Sequence, residues 1–183
     1  EEAPRVRVRF LQKPEKDSKP LREGSVDLET GVVDQDTSPE LRTTTLFLDR
    51  FVGVARGDHP LARGRVTLAR YASGRHVSIA RQGEQQSMIE ELLESLGCKR
   101  NIASVVGGFS AAIALARDSD LIATVPDRHT ESLRRGMWSF RLPFASPEFT
   151  VSMIWHPRME ADAAHRWLRG CLREVCRDRR RSN

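Results

Sequence analysis

The chain has 183 residues, 39% of them apolar and 30% charged, with 30 Lys and Arg against 25 Asp and Glu and a formal net charge of +5. That length can bury the core of one domain or of two small ones, and no apolar run approaches the ~18 residues needed to span a bilayer, which argues against a membrane role. Cys98, Cys171 and Cys176 are odd in number and form no CxxC pair, as expected of a reduced cytoplasm rather than a disulfide-stapled secreted protein.

The opening EEAPRVRVRF carries no basic-then-apolar leader, so no export is expected. Residues 5–11 alternate Arg5, Arg7 and Arg9 with Val6, Val8 and Phe10, the period of a strand with one wet face, placed near an edge or an interface. Residues 17–23 predict a short helix broken by Gly24-Ser25. Residues 26–33 predict a strand interrupted by Thr30-Gly31 at its carboxyl end. Two further strands are expected at 44–48 and 51–55, separated by the polar Asp49-Arg50. The loop from Arg56 to Pro60 then crosses from a first unit to a second.

In that second unit, 67–71 reads as a short helix and 76–80 as a strand. Ser87 to Glu90 forms a capping box that starts a helix with Met88, Ile89, Leu92, Leu93 and Leu96 on one face, ending at Gly97. Residues 101–106 form the next strand. The stretch GFSAAIALARDSDLIATVPDR then combines a helix from Phe109, a polar turn at Asp118-Ser119-Asp120, a strand at 121–125 apolar enough to be covered on both faces, and a closing Pro126. A covered strand belongs to a parallel α/β sheet, whose ligands bind outside the carboxyl ends of the strands. A helix at 128–135, strands at 138–142 and 149–155, and an amphipathic helix at 162–177 complete the chain. Two helix-turn-strand units far apart in sequence suggest two small α/β subdomains with a cleft between them.

No catalytic set is visible: GxSxG and P-loop patterns are absent, and GGFSAA lacks the glycine spacing of a dinucleotide turn. The five histidines show no paired metal-ligand spacing, so neither a metal nor a cofactor is expected. The arginines of 5–9 and of the tail 177–181 admit nucleic-acid binding, but without zinc-finger spacing or aromatic-basic interleaving a solvated face and tail is the simpler reading.

The segments LREGSVDLETG, VARGDHPLARG, FSAAIALARDSDLIATVP and WHPRMEADAAHRWLR, in this order, resemble the effector-binding domain of LysR-type transcriptional regulators over nearly the whole chain. The resemblance implies a type 2 periplasmic-binding-protein-like fold of two Rossmann-like α/β subdomains joined by two crossover strands. Subdomain I would comprise 1–52 and 146–183, and subdomain II 53–145. Because the chain opens at a position matching the end of the family's first helix, subdomain I is expected to be N-terminally truncated. The implied function is non-enzymatic: a small effector, carboxylate-bearing or aromatic, enters the inter-subdomain cleft and controls transcription. Promoter DNA would be bound only through an N-terminal winged helix-turn-helix absent from this chain. A cytoplasmic homodimer is implied as well, with 5–11 and 17–23 contributing to the contact. An exported solute-binding protein shares the fold, and an enzyme on the same scaffold would need Asp120 or His76 as acid or base.

Effector contacts are expected at strand ends and helix starts. Thr30 and Gly31 match positions that line the family's cleft, where a glycine admits close approach and a threonine can donate to a carboxylate. Ser78, Arg81 and Gly83 precede a helix start that would attract an anion. Gly107, Gly108, Phe109 and Ser110 open the third helix, where Phe109 can stack on a planar ligand, although an aromatic at a helix start more often joins the core. Thr124 and Pro126 complete the wall.

Overall fold

The computed structural model describes residues 3, 6–11, 17–33, 37–80 and 88–178. Helices are α1 (Lys19–Glu23), α2 (Leu68–Ser73), α3 (Met88–Ser95), α4 (Phe109–Arg117), α5 (Asp127–Thr130) and α6 (Ala163–Asp178). Strands are β1 (Glu29–Val32), β2 (Arg42–Ala55), β3 (Arg75–Ile79), β4 (Asn101–Val106), β5 (Leu121–Pro126), β6 (Trp138–Arg141) and β7 (Glu148–Trp155). The seven strands follow the path β1-β7-β2-β5-β3-β4, with β6 also paired to β2.

The long strand β2 organises this mixed α/β sheet, and its ladder changes partners along its length. Arg42 to Arg50 pairs antiparallel with β7, whereas Phe51 to Val54 pairs with β5 and Val52 to Ala55 with β6. Two separate strands at 44–48 and 51–55 were therefore the wrong expectation. Asp49 and Arg50 continue the strand because a backbone ladder partner is present on both sides of the handover, and the polar pair that suggests a turn in sequence is instead accommodated by side-chain contacts described below.

All six residues of β5 are buried, as its unbroken apolar run predicts for a strand with helices on both faces. On one face Leu121, Ala123 and Val125 join Val52, Val54, Val77 and the inner side of α4, namely Ala112, Ile113 and Ala116. On the other, Ile122 packs with Tyr71 of α2, Ile89 and Leu93 of α3, Leu61 and Phe140. Each fully buried aliphatic side chain contributes roughly 1.5–3 kcal/mol, so these two layers hold β3, β4 and β5 in place. Close approach is specific at Gly53, where an added Cβ would fall 2.2 Å from the Phe140 ring.

Caps close the helices. Thr67 accepts the Arg70 N–H to start α2, and Gly24 at φ +82° ends α1 in the left-handed conformation that glycine adopts without strain. The Arg158 guanidinium donates to the Leu21 and Arg22 carbonyls at that same end. α6 buries two polar side chains, His165 and Arg169. His165 Nε2 donates to the Asp27 carbonyl at 2.8 Å, and the Arg169 guanidinium stands 4.7 Å from the Trp155 ring centroid.

Two further expectations are corrected. Residues 6–11 form no strand and are exposed, Phe10 at 91%. Alternation can shape a strand, but a strand needs a hydrogen-bonded neighbour, and this segment has no ladder partner among the described residues. The helix expected at 128–135 is α5 followed by a 3-10 turn over Glu131–Arg134. The start of the capping box at Ser87 lies outside the described residues.

Candidate functional site

Strand direction places the site. β1 and β2 are each antiparallel to β7, so they run the same way. β5 runs against β2, and β3 and β4 are parallel to β5. The carboxyl ends of β1 and of the β3-β4-β5 group consequently point at one stretch of β2 from opposite directions. Val32 of β1 is level with Val151, which pairs with Phe47, while Pro126 of β5 pairs with Phe51. These rows are four residue steps apart along β2, roughly 13 Å at about 3.3 Å per residue, which suits a small organic molecule. We call this stretch the seam.

Asp49 sits in its middle and is 4% exposed, and it is the sole buried acidic residue among those described. A buried carboxylate needs donors. Oδ1 accepts the N–H groups of Arg50 and Arg128, both at 2.8 Å, and Oδ2 accepts that of His129 at 2.9 Å. The carboxylate thus ties the first turn of α5, and with it the end of β5, to the point where β2 changes partners. The Arg128 side chain reaches the other way, with its guanidinium 4.4 Å from the Phe47 ring centroid and a hydrogen bond to the Cys176 carbonyl at the end of α6. Neither residue was singled out in sequence; the signal was a charged pair inside an apolar run.

The expected contact residues divide into three groups. Thr30 is exposed and Gly31 half-buried on β1, at the end that faces the seam. Gly108 is the extended N-cap of α4 with no side-chain cap, followed by half-buried Phe109 and exposed Ser110, and Pro126 ends β5. The Phe109 ring lies edge-on to His129 at 6.2 Å and also packs on the core. Arg81 and Gly83 lie outside the described residues.

Ser78 and Thr124 form the third group, and their side chains turn away from the strand ends into the layer beneath α2 and α3. Ser78 Oγ donates to Glu90 Oε1 at 3.2 Å. Thr124 Oγ1 shares a 2.7 Å hydrogen bond with the Tyr71 hydroxyl, and Arg100 Nη1 donates to both oxygens at 3.2 Å. The Arg100 guanidinium also pairs with Glu90 through Nε at 2.9 Å and Nη2 at 2.5 Å. Burial raises the Tyr71 phenol above its ordinary value, against the lowering effect of the nearby Arg100 charge. Alternation along a strand fixes which residues share a face but not which face a helix will cover.

Two residues considered for acid-base work have structural surroundings. His76 is fully buried, its Nε2 donates to the Tyr71 carbonyl at 2.7 Å, and burial holds its pKa down at about 4. Asp120 is bound by Arg56, whose hydrogen bond lowers the carboxylate's pKa. Among the described residues no cluster of three His, Cys, Asp or Glu could hold a metal, and no helix is long and apolar enough to cross a membrane.

The model of a family described as the LysR substrate binding domain matches residues 1–177. The chain is 30% identical over 164 residues to the HTH-type transcriptional activator NahR of Pseudomonas putida, covering 86% of this chain and 53% of that protein. It spans about half the length of the curated relatives it matches. Among solved structures, a probable transcriptional regulator from Pseudomonas aeruginosa superposes with a TM-score of 0.79 at 30% identity, over 93% of this chain and 58% of that one. The effector-binding domain of QuiR in complex with shikimate superposes with a TM-score of 0.66 over 87% of this chain and 76% of that one; at 14% identity this likeness concerns the fold alone.

Proposed function

The chain belongs to the LysR substrate-binding domain family, and from that membership we propose that it senses a small carboxylate-bearing or aromatic effector at the seam and passes the signal to a DNA-binding region of the whole regulator. In this reading residues 1–52 and 146–183 form one unit and 53–145 the other. The family domain has the type 2 periplasmic-binding-protein-like fold, and its relatives here are named as transcriptional regulators.

The observation that carries the reading is the convergence of two sets of strand ends on residues 47–51 of β2, because α/β sheets bind ligands beyond the carboxyl ends of their strands. The start of α4 supplies the polarity. Gly108 leaves the first N–H groups of a nine-residue helix without a side-chain acceptor, and a helix start favours negative charge. Thr30, Gly31, Phe109, Ser110 and Pro126 supply hydroxyl, backbone and apolar surface around it. Ser78 and Thr124 serve this wall from behind. An effector shifts the regulator only through different affinities for two arrangements of the units. The same reading makes the regulator a cytoplasmic homodimer, with 5–11 and α1 in the contact.

Thermal unfolding with benzoate and with shikimate tests this. A bound acid stabilises by RT ln(1 + [L]/Kd), about 2.7 kcal/mol at a hundredfold excess over Kd, so the melting temperature rises with concentration. Gly108→Asp puts a carboxylate at the α4 start; aspartate is a good N-cap, so the variant folds normally and loses the rise. Absence of a concentration-dependent rise with either acid, or an undiminished rise in Gly108→Asp, contradicts the proposal.

A further inference from the structure

We propose that Arg128 is a latch that holds the two units at a fixed angle across the seam, an inference that rests on the two-unit reading above. Its backbone belongs to the unit 53–145, in the first turn of α5 directly after β5, and its N–H is held at the handover point of β2 by Asp49 at 2.8 Å. Its side chain is seated on the other unit. The guanidinium lies 4.4 Å from the Phe47 ring centroid and donates from Nη2 to the Cys176 carbonyl in the last turn of α6. One residue of the unit 53–145 therefore meets the other unit twice, through its N–H on Asp49 and through its guanidinium on Phe47 and the end of α6.

The chemistry suits a latch. A guanidinium is planar and can stack on a ring while donating from its edge, which an ammonium cannot reproduce. The carbonyls of a final helical turn carry the negative end of the helix dipole, so the Cys176 carbonyl suits a cationic donor. The neighbouring Arg50–Asp127 pair is 3.5 Å long and has side chains 46% and 35% exposed, the kind of contact that water and salt weaken. Arg128 is half-buried between the ring and the helix end. If the seam opens by rotation about β2, the stacked guanidinium must leave Phe47 and the α6 carbonyl together, which makes the motion a step between two packed arrangements rather than a gradual flexing.

Hydrogen exchange of the 183-residue chain tests the latch with Arg128→Ala, Arg128→Lys and Phe47→Leu. The latch predicts about tenfold faster exchange in Arg128→Ala at residues 44–51 of β2 and 148–151 of β7 as well as in the last turn of α6, with β3, β4 and β5 unchanged. Arg128→Lys keeps the charge, and Phe47→Leu keeps apolar bulk while removing the ring face; each shows the same pattern at smaller amplitude, so the test survives poor folding of the alanine variant. Acceleration confined to the end of α6 makes Arg128 a helix cap and overturns the latch, as does no change anywhere. Acceleration of β3–β5 together with 44–51 means that the chain opens as one body, and the two-unit reading itself falls.

Discussion

Removing Glu90 isolates a buried charge. The Arg100 side chain is 3% exposed, and its strongest partner is Glu90, contacted through Nε and Nη2. In Glu90→Ala the guanidinium keeps the Tyr71 and Thr124 hydroxyls at 3.2 Å but no counter-charge, and Ser78 Oγ loses its acceptor. Breaking a buried pair from one side costs about 3–5 kcal/mol. Glu90 is 19% exposed, so water reaches part of the vacated space and the lower end, about 3 kcal/mol, is the expected loss. For a chain of this size that is a fall in melting temperature of roughly 6–12 °C. Urea unfolding followed by circular dichroism measures it, with an unchanged m-value showing that stability alone has moved. Glu90→Gln keeps an acceptor oxygen and falls between wild type and alanine. The double variant Glu90→Leu with Arg100→Met recovers most of the loss, because well-packed apolar residues replace such pairs at little cost. A loss below about 1 kcal/mol in Glu90→Ala, the value of an exposed pair, would refute the reasoning.

Lowering the pH tests His76, whose folded pKa of about 4 lies below its ordinary 6.5. The unfolded chain takes up the proton first, so stability falls as pH drops from about 6.5 to about 4 and this contribution levels off below; 2.5 units correspond to about 3 kcal/mol. His76→Gln, which cannot titrate, flattens the stability curve in that window, and an unaltered slope removes His76 from the account. Gly53→Ala brings a methyl to 2.2 Å from the Phe140 ring, and overpacking of this kind costs about 1–3 kcal/mol. Equilibrium unfolding reads the loss, and adding Phe140→Leu restores part of it; a neutral Gly53→Ala would show that Phe140 shifts freely.

Local patterns carried the second half of the chain far. β4 spans the expected residues, α4 begins at Phe109 as Gly107-Gly108 announces, and β5 extends the expected strand by Pro126. Each is bounded by glycine or a polar turn and has the apolar spacing of its own element. β2 was harder, since a polar pair inside an apolar run reads as a turn unless its partners are known. Two of the three donors that make Asp49 tolerable inside the sheet come from Arg128 and His129, 79 and 80 residues away, and no local pattern records them. Residues 6–11 show the converse: their alternation is sound, but pairing belongs to the neighbour. For Ser78 and Thr124 the position near a strand end was legible, while the face was set by Arg100 and Glu90, whose pairing depends on how α3 settles over the sheet.

The central claim is that one small molecule occupies the place where the strand ends converge. Amide chemical-shift mapping of the isotope-labelled chain during a benzoate titration tests it most directly. The account predicts that the amides of Thr30, Gly31, Gly108, Phe109, Ser110 and residues 127–129 move together along a single saturating curve. Shifts confined to the outer faces of α3 or α6, or none at saturating acid, would contradict it.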